Sequence, residues 1–505
     1  MENKRLFKRS HTLIKHLYKE AKEDLEKLDG SVHTIKGWIT SVRTQTKLYF
    51  IGISDGSHAK PFQLVLDETM EDLKNKIEPM AYVGATICAT GKIIKSPAKG
   101  QLIEMKASTC DIIGPISEPQ TFKPAFKGIT MDTVRNLHYM RSKFKFYRSA
   151  MRIRSKLSQV IHEYFHAMDI HHIDPSVITT SDCEGAGETF QITNLLKDGD
   201  VSKIPLHDKS KQIDFSQDFF GKRAFLTVSS QLLLEGSCCG MSGVYTTNPS
   251  FRAEPSKTTR HLASFTHVEW ELAFINLKDL MDFSEDLVTH CIQKVRTECV
   301  EDLEELNATI SKGIIARLSA LVAERFARIT YDEAIDLIHK HKDAIMKKFK
   351  GEIKELPKWG DDLGSHCEGY IAEVIFNKPT FVYNYPRDLK SFYMKQNPPH
   401  DVILADGSKV TRYTVSSCDL LMPNLGELIG SSLREDSYDK LTAEMTKRKM
   451  DMEPLKDYVE LRKDASTPTG GAGMGFERLV GLCTFMKPNI RDTLQCPVAY
   501  GELYS

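Results

Sequence analysis

A cluster of glycines near the C-terminus constrains this chain more than any other feature of its sequence. Four glycines lie within residues 470–475, and Phe476, Glu477 and Arg478 follow them. A glycine has no Cβ, so its backbone can approach a ligand or a neighbouring strand closely. An arginine directly behind such a backbone presents a planar fork of donors that suits a phosphate. The stretch therefore predicts either a tightly packed turn before a helix or one wall of a phosphate site.

Length and charge exclude several classes of protein. A chain of 505 residues is too long for one hydrophobic core, so we expect two or three domains. Lysine plus arginine and aspartate plus glutamate each number 68. The resulting zero net charge argues against a polyanion binder held by bulk electrostatics. A nucleic acid that is read by a local surface stays compatible with this balance.

Cysteine usage and hydropathy indicate the compartment. The eleven cysteines are scattered without a CxxC pair, a pattern typical of a reducing compartment and of proteins without structural zinc. No apolar run reaches about 18 residues, which argues against a transmembrane helix. The N-terminus lacks an apolar signal core, so we expect a cytoplasmic protein with no membrane partner; because it is basic, a mitochondrial address is the alternative.

Composition divides the chain into four parts. Residues 1–29 carry leucines at roughly helical spacing and predict an N-terminal helical extension. Residues 30–116 contain five short runs of alternating hydrophobicity separated by turn signals, which is typical of a small closed barrel of the oligonucleotide-binding type, the OB-fold. Prolines at the start of residues 117–145 indicate a hinge. Residues 146–505 form the last part.

The last part mixes helices with strands and predicts an α+β domain. A long helix is expected from residue 146 to about residue 168, and strands and loops are expected over 176–275. Residues 278–350 have apolar residues at helical spacing and predict a helical segment within this domain.

A second chemical signal lies more than 200 residues before the glycines. Phe251-Arg252-Ala253-Glu254 is followed by Arg260-His261-Leu262, Phe265, Glu269 and Glu271. Arg252 and Glu254, two apart on a strand, point to one face. Such a pair predicts a phosphate bound by the arginine and a base or ammonium bound by the glutamate, or else a cross-strand salt bridge.

Other phosphate motifs are missing from the sequence. There is no Gly-x-x-x-x-Gly-Lys-Ser/Thr, which argues against a P-loop. The glycine run does not open a βαβ unit with an acidic residue at the required distance, which argues against a dinucleotide fold.

Taken together, the two signals resemble motifs 2 and 3 of the class II aminoacyl-tRNA synthetases. The helix that ends before Pro175 resembles motif 1, the dimer element. A barrel before the catalytic domain resembles the aspartate/asparagine/lysine subgroup, and nearly all of residues 30–505 resembles its asparagine-specific members. The segments that carry this closer resemblance are residues 181–188, 359–363, 385–395 and 426–435.

The resemblance implies a fold and an activity. The fold is an OB-fold anticodon barrel followed by a class II catalytic domain, an antiparallel sheet flanked by helices. The activity is that of an ATP-dependent ligase, which activates L-asparagine as an adenylate and transfers it to tRNA(Asn). A homodimer, and ATP with Mg²⁺, are implied as well.

The resemblance also implies residue roles at the nucleotide. The catalytic residues are Arg252, Glu254 and Arg478. The ATP-binding residues are Arg252, Glu254, Arg260, His261, Leu262, Phe265, Glu427, Gly475 and Arg478. Glu427 is the expected Mg²⁺ ligand, since this hard cation prefers carboxylate and phosphate oxygens.

Amino-acid choice is expected to depend on hydrogen-bond polarity, because asparagine and aspartate are isosteric. A carboxylate that faces the side-chain amide accepts its N–H and repels aspartate. Glu235 stands where aspartyl enzymes are expected to carry lysine, and Arg434 is expected to donate to the side-chain carbonyl. An ordinary ion pair is the alternative for Glu235. The remaining amino-acid ligands implied by the resemblance are Arg252 for the carboxylate and Glu184 and Gln231 for the ammonium.

Three barrel residues are expected at the anticodon. Phe50 and Gln63 fall where the family stacks on and reads the middle base, and Arg43 is expected to contact phosphate. A barrel-core role for Phe50 and a solvated charge for Arg43 are the alternatives.

Some positions depart from the family pattern. Trp270 stands where the family has proline, which predicts a local reshaping of the strand, while Glu269 and Glu271 keep both acidic positions. Three other functions are alternatives: an aspartyl or dual-specificity synthetase, a paralogue that makes free asparagine, and a catalytically dead RNA-binding paralogue. Glu235 argues against the first, the intact barrel against the second, and retention of Arg252, Glu254, Glu427 and Arg478 against the third.

Overall fold

A computed structural model describes residues 7–68, 70, 73–180, 188–197, 199–404, 407–464, 466–486 and 489–503. The chain forms two compact units. The barrel unit comprises residues 1–152 and 300–312, and the large unit comprises residues 153–299 and 313–505. A short part of the predicted helical segment, residues 300–312, therefore groups with the barrel.

The barrel unit is built on a closed five-stranded barrel in the order β1-β2-β3-β5-β4. Alternate residues of each strand, such as Ile51 and Ile53 in β2, are buried in its core, as the alternating sequence pattern requires. An N-terminal helix adds Ile14 and Leu17 to the same core. The elements are α1 (Ile14–Glu23), α2 (Leu25–Leu28), β1 (Val32–Gln45), β2 (Leu48–Ser54), β3 (Phe62–Asp67), β4 (Thr86–Lys95) and β5 (Ile103–Gly114).

After the barrel come α3 (Met131–Arg135) and α4 (Lys145–Ala167), which begins in the barrel unit. The later helix α7 (Val300–Thr309) also belongs to this unit. Arg152 of α4 and Asp302 of α7 form an ion pair at 2.6 Å. This contact explains why a segment so distant in sequence groups with the barrel.

The large unit is organised by an eight-stranded sheet in the order β12-β13-β16-β17-β18-β11-β10-β6. The pairs are antiparallel except β12 with β13 and β10 with β6 at the two edges. The strands are β6 (His171–His172), β10 (Gly243–Phe251), β11 (Ser264–Ala273), β12 (Ala327–Thr330), β13 (Thr380–Tyr383), β16 (Ser417–Met422), β17 (Gly426–Leu433) and β18 (Thr469–Gly475).

Smaller elements complete the large unit. A three-stranded sheet in the order β7-β9-β8 and a hairpin of β14 with β15 lie outside the main sheet. These strands are β7 (Ile178–Thr179), β8 (Gln191–Ile192), β9 (Ala224–Leu226), β14 (His400–Ile403) and β15 (Lys409–Arg412). The helices are α5 (Gln231–Met241), α6 (Leu277–Glu298), α8 (Ile314–Leu321), α9 (Tyr331–Lys340), α10 (Lys342–Lys348), α11 (Gly364–Tyr370), α12 (Tyr438–Lys447), α13 (Lys456–Glu460) and α14 (Phe476–Thr484).

One face of the main sheet is an apolar packing surface. Trp270 on β11 is fully buried, and its ring lies 5.9 Å from the rings of Phe165 on α4 and Phe283 on α6. Aromatic rings at such separations add to the burial of apolar area. The opposite face of the same strands is therefore left to form the functional site.

Three expectations about local structure need correction. Strand β11 pairs without a register shift through Trp270, so the predicted reshaping does not occur. The region 176–275, for which strands and loops are expected, also contains helix α5. The predicted helical segment is interrupted by β12, where a short Ala-Arg-Ile-Thr run pairs in parallel with β13.

No helix in the described part of the chain combines the length and hydropathy needed to cross a bilayer.

Candidate active site

The floor of the site is formed by the neighbouring antiparallel strands β11 and β18. Their register places three polar residues of β11 opposite three glycines of β18: His267 with Gly475, Glu269 with Gly473, and Glu271 with Gly471. Every second residue of a strand points to the same face. The polar side chains therefore share one face with three positions that carry no side chain, and the glycines leave that face open.

Two of these glycines are required by close contacts. A Cβ at Gly471 would overlap Glu271 Oε2 and lie 2.5 Å from Arg434 Nη2. A Cβ at Gly473 would overlap the Nε2 atom of His267. The glycines therefore make room for side chains that reach across from β11 and β17, rather than serving only a flexible turn.

One pocket over this floor holds three arginines, and we call it the arginine pocket. It contains every residue that the sequence predicted for ATP: Arg252, Glu254, Arg260, His261, Leu262, Phe265, Glu427, Gly475 and Arg478. It also contains residues that carried no prediction: His267, Leu428, Gly473, Glu477 and Ile490. Residues from three distant parts of the sequence thus meet at one place.

The loop between β10 and β11 is held by its own hydrogen bonds. His261 Nδ1 lies 2.8 Å from Ser256 Oγ and 2.6 Å from Thr258 Oγ1. The other ring nitrogen lies 3.7 Å from the carboxylate of Glu254. These contacts position Glu254 and His261 on the same wall of the pocket.

Another part of the pocket wall is formed by β17 and the start of α14. Arg478 Nη1 donates to the backbone oxygen of Glu427 at 2.6 Å and lies 3.8 Å from the Glu427 carboxylate. Arg252 lies over the ring of Phe265, with its Cζ 5.5 Å from the ring centroid. The pocket thus combines cations with an aromatic face, the chemistry that a nucleotide requires.

His267 and Glu269 are ionisable groups buried in the floor. Burial lowers the pKa of His267 to about 3, and the positive charge of Arg252 adds to this effect. Burial raises the pKa of Glu269 to about 7, against hydrogen bonds from Ser229 and Ser230. Ser230 is the N-cap of α5, so Glu269 also anchors the start of that helix.

Glu427 has a second carboxylate close to it. Both carboxylates lie next to the backbone of Gly430: a Cβ added to this glycine would be 3.0 Å from Glu427 Oε1 and 3.7 Å from Asp419 Oδ1. Asp419 is bound to Lys390 at 2.6 Å. Burial, together with the negative charges of Glu427 and Asp419, raises the pKa of Glu368 to about 8. In the described residues no three His, Cys, Asp or Glu side chains converge as a metal cluster.

Beside the arginine pocket lies a set of buried charges. Arg434 donates to Glu271 through Nε at 2.9 Å and through Nη2 at 2.7 Å, and its Nη1 donates to Ser432 Oγ at 2.6 Å. The side chain of Gln231 lies between Arg434 and the hydroxyl of Tyr393. The amide orientation that satisfies both neighbours directs its oxygen to the guanidinium. Burial raises the pKa of Glu271 to about 7, which the charge of Arg434 opposes.

Glu235 completes this set from helix α5 and is almost fully buried. Its Oε1 accepts from Arg462 Nη2, and its Oε2 accepts from the hydroxyl of Tyr458 at 2.7 Å. The ion pair given above as the alternative for Glu235 is therefore present. We call the four charges Glu235, Glu271, Arg434 and Arg462 the charge-paired cluster.

Sequence reasoning missed three members of this arrangement. Arg462 and Tyr458 lie in a charged segment that resembles a solvated surface, and only their burial separates them from it. Glu271 belongs to the second sequence signal, but the sequence assigns it no role. The prediction for Glu184 falls outside the described residues.

The barrel unit carries a separate pocket that contains Arg43, Phe50 and Gln63. Arg43 lies opposite Phe50 in the β1–β2 register, and its Nη2 donates to Gln63 Oε1 at 3.3 Å. Gln63 Nε2 donates to Glu104 Oε2 at 2.9 Å. Phe50 is half-buried on the barrel surface rather than part of its core.

Comparison with known proteins agrees with this geometry. The family model "tRNA synthetases class II (D, K and N)" matches residues 130–499, and the model "OB-fold nucleic acid binding domain" matches residues 33–113. The asparagine--tRNA ligase of Shewanella halifaxensis is 37% identical over 469 residues, which cover 93% of this chain and 95% of the relative. That of Mannheimia succiniciproducens is 38% identical with the same coverage. The chain belongs to the asparaginyl-tRNA synthetases.

A solved structure extends the similarity to the fold of this synthetase. Asparaginyl-tRNA synthetase from Pyrococcus horikoshii, complexed with asparaginyl-adenylate, matches with a TM-score of 0.77 and 27% identity. The match covers 95% of this chain and 97% of the other. The predicted barrel followed by a class II catalytic domain is confirmed.

Proposed function

We propose that the large unit activates L-asparagine with ATP to asparaginyl-adenylate and then transfers asparagine to tRNA(Asn). The observation that carries this proposal is the common floor of β11 and β18. It supports the arginine pocket at one end and the charge-paired cluster at the other. An amino acid and a nucleotide bound at these two places would meet over the same three glycines.

The first step joins two anions, the carboxylate of asparagine and the α-phosphate of ATP. Positioning and charge neutralisation supply most of the rate in such a reaction, and no protein nucleophile is needed. Arg252 is proposed to contact both anions; in support, it lines the arginine pocket, and its charge acts on His267 and Glu269 in the floor. The amino-acid carboxylate attacks the α-phosphate, and pyrophosphate leaves.

The remaining pocket residues take the nucleotide. Arg260 and Arg478 bind the β- and γ-phosphates, since a guanidinium matches phosphate with two parallel donors. Phe265 stacks on adenine. Glu254 and His261, held together on one wall, contact the nucleotide from the opposite side.

Mg²⁺ fits this site through Glu427, with Asp419 as a neighbour. This metal is commonly bound by one or two protein carboxylates together with phosphate oxygens, so a cluster of three protein ligands is not required. When bound, it would neutralise charge on the phosphates.

Selection of the amino acid is proposed for the charge-paired cluster. Arg434 donates to the side-chain carbonyl of asparagine, and Glu235 accepts from the side-chain amide. The cluster contains two carboxylates and two guanidinium groups. The neutral side chain of asparagine preserves this balance, whereas the carboxylate of aspartate would add an unpaired negative charge. Gln231 adjoins Arg434 and is proposed, with Glu184, to bind the α-ammonium group.

The barrel is proposed to read the anticodon of tRNA(Asn). Phe50 stacks on the middle base and Gln63 reads its edge. The Glu104 carboxylate accepts a hydrogen bond from Gln63 Nε2. This bond fixes the orientation of the Gln63 amide, with its oxygen directed toward Arg43. Arg43 then serves a neighbouring phosphate.

We further propose a homodimer, on the resemblance of α4 to the dimer element. Size-exclusion chromatography with light scattering should give about twice the chain mass of 57.2 kDa. A cytoplasmic location, which the scattered cysteines favour, stays a prediction.

Amino-acid-dependent ATP–pyrophosphate exchange tests the proposed reaction. Exchange is expected with asparagine and Mg²⁺, and not with aspartate. Charging of tRNA(Asn) with radiolabelled asparagine then follows the second step. Exchange with aspartate alone would exclude the proposed substrate, and absence of exchange with either in folded protein would favour an RNA-binding role. Arg478→Ala is the internal control, because it should lose exchange while the fold is retained.

A further inference from the structure

Helix α13 and the residues after it supply both donors to Glu235. Arg462 donates to one carboxylate oxygen and Tyr458 donates to the other at 2.7 Å. Each carboxylate oxygen can accept more than one hydrogen bond. Both oxygens are therefore fixed by the protein, and each keeps acceptor capacity for a ligand.

Arg462 is itself immobilised by several acceptors. Its Nε donates to the backbone oxygen of Glu435 at 2.9 Å, and its Nη1 donates to the backbone oxygen of Tyr458 at 2.8 Å. Its guanidinium carbon lies 4.0 Å from the centroid of the Tyr458 ring. Since Arg462 is only 5% exposed, it cannot swing out to solvent without breaking these contacts.

The cluster also balances charge away from water. Glu271 is bound by Arg434 in a bidentate pair, and Glu235 is bound by Arg462. Breaking a buried pair by removing one partner leaves an uncompensated buried charge. Without Arg462, the carboxylate of Glu235 would be left buried without the guanidinium that pairs with it and fixes its position.

We propose that Arg462 is a positioning residue for amino-acid selection, which holds the Glu235 carboxylate as a fixed acceptor for the side-chain amide of asparagine. The carboxylate of Glu235 accepts an N–H and repels another carboxylate. Released from Arg462, the Glu235 side chain would no longer hold its oxygens toward the amide, so the site would lose that contact and discriminate less against aspartate. Arg462 thus controls which of two isosteric side chains the site accepts, without contacting either. This inference rests on the proposed role of Glu235.

Four substitutions separate this role from simple support of the fold. Arg462→Gln removes the positive charge, and Arg462→Lys keeps it with fewer donors. Glu235→Gln removes the negative charge and replaces one acceptor oxygen by a donor NH2 group. The matched control is Arg448→Gln, because Arg448 also pairs with a buried glutamate, Glu444, at 2.7 Å but lies outside the charge-paired cluster. For each protein, kcat and KM for asparagine, aspartate and ATP are measured by pyrophosphate exchange.

Arg462→Gln and Glu235→Gln should each reduce the preference for asparagine over aspartate by about tenfold or more, as expected when a hydrogen-bonding site loses a correctly held, charged acceptor. The loss should lie mainly in KM for asparagine, with KM for ATP unchanged. Arg462→Lys should recover part of the preference, and Arg448→Gln should behave as the wild type. A substitution that only loosened the fold would change the kinetic constants for asparagine, aspartate and ATP together.

Two results would overturn the proposal in distinguishable ways. If Arg462→Gln keeps the wild-type preference while Glu235→Gln loses it, Arg462 has no positioning role and the proposed function stands. If Glu235→Gln keeps the preference, the assignment of Glu235 fails and Arg462 fails with it. Should Arg462→Gln not fold, Arg462→Lys and Tyr458→Phe decide by the same ratio, and unchanged selectivity in both overturns the proposal.

Discussion

Arg434 and Glu271 form a bidentate ion pair with both side chains almost fully removed from solvent. Glu271 lies on β11, and Arg434 directly follows β17. These two strands flank β18 on either side. Gly471 lies between them on β18 and lacks the side chain that would separate them. The two charges therefore meet across a strand that neither belongs to.

Glu271→Gln should weaken both stability and selection. The substitution leaves Arg434 charged and buried without its carboxylate. Breaking a buried pair in this way costs about 3–5 kcal/mol, of which the new amide recovers part. Thermal unfolding should shift down by several degrees, and exchange with aspartate should rise relative to asparagine. Glu444→Gln provides the comparison, since it breaks a buried glutamate–arginine pair elsewhere. Equal effects of the two variants on selectivity would contradict this prediction.

Gly471→Ala should impair asparagine activation by steric overlap. The new methyl group would collide with Glu271 and lie 2.5 Å from Arg434 Nη2. Overpacking of this kind costs about 1–3 kcal/mol, so KM for asparagine should rise by about tenfold or more in exchange assays. Gly240→Ala is the control, because a Cβ there would meet nothing within 4 Å. Wild-type kinetics for Gly471→Ala would show that the strand can shift to admit the methyl group.

His267→Gln should make the large unit more resistant to acid. The folded pKa of His267 lies near 3, below the ordinary value of 6.5, so the unfolded chain binds the additional proton between these limits. Stability that depends on neutral His267 is therefore lost as pH falls below about 6.5. Between pH 7 and pH 5 the wild type should lose about 2 kcal/mol more than the variant.

Urea unfolding of both proteins at the two pH values measures this difference. The contribution of Glu271, whose raised pKa acts with the opposite sign, is present in both proteins and cancels in the comparison. Because His267 Nδ1 lies 3.4 Å from Glu269 Oε1, both proteins are compared on a Glu269→Gln background. A parallel acid response of wild type and variant would show that His267 accepts its proton in the folded state without penalty.

Phe50→Ala should affect only the step that uses tRNA. Loss of base stacking costs about 1–3 kcal/mol, so KM for tRNA(Asn) should rise by about tenfold or more in charging. Exchange with asparagine should not change, because it requires no tRNA. Tyr82→Ala tests an exposed aromatic of the same unit outside the pocket and should charge normally. A parallel fall in exchange would point to a folding defect.

The barrel and the arginine pocket could be predicted from sequence for different reasons. Period-two alternation indicates the strands of the barrel directly, because one face of each strand is buried. The pocket residues were predicted through the resemblance of two motifs to a known family, because each run alone is also compatible with a purely structural role. The structure brings those runs together, and their individual roles stay predictions.

Other features depend on contacts that local patterns do not encode. Helix α5 contains Gly236, Ser237, Cys238 and Cys239, which are poor helix formers, and it is stabilised by packing on β11 and β18. Arg462 lies among charged neighbours, and only tertiary structure decides that it is buried and Lys463 is not. Burial of a charge is a property of the assembled fold rather than of its own segment.

The shared floor has a consequence for how such an enzyme can diversify. The groups that would handle ATP and those that would recognise the side chain lie side by side, yet they use different residues of β11 and opposite ends of β17. A lineage could therefore exchange Glu235 and its arginine for another pair and acquire a new amino acid while the chemistry of adenylation is inherited intact. The glycines of β18 have the least freedom to vary, because a side chain at Gly471 would collide with the charge-paired cluster and one at Gly473 would collide with His267 in the arginine pocket.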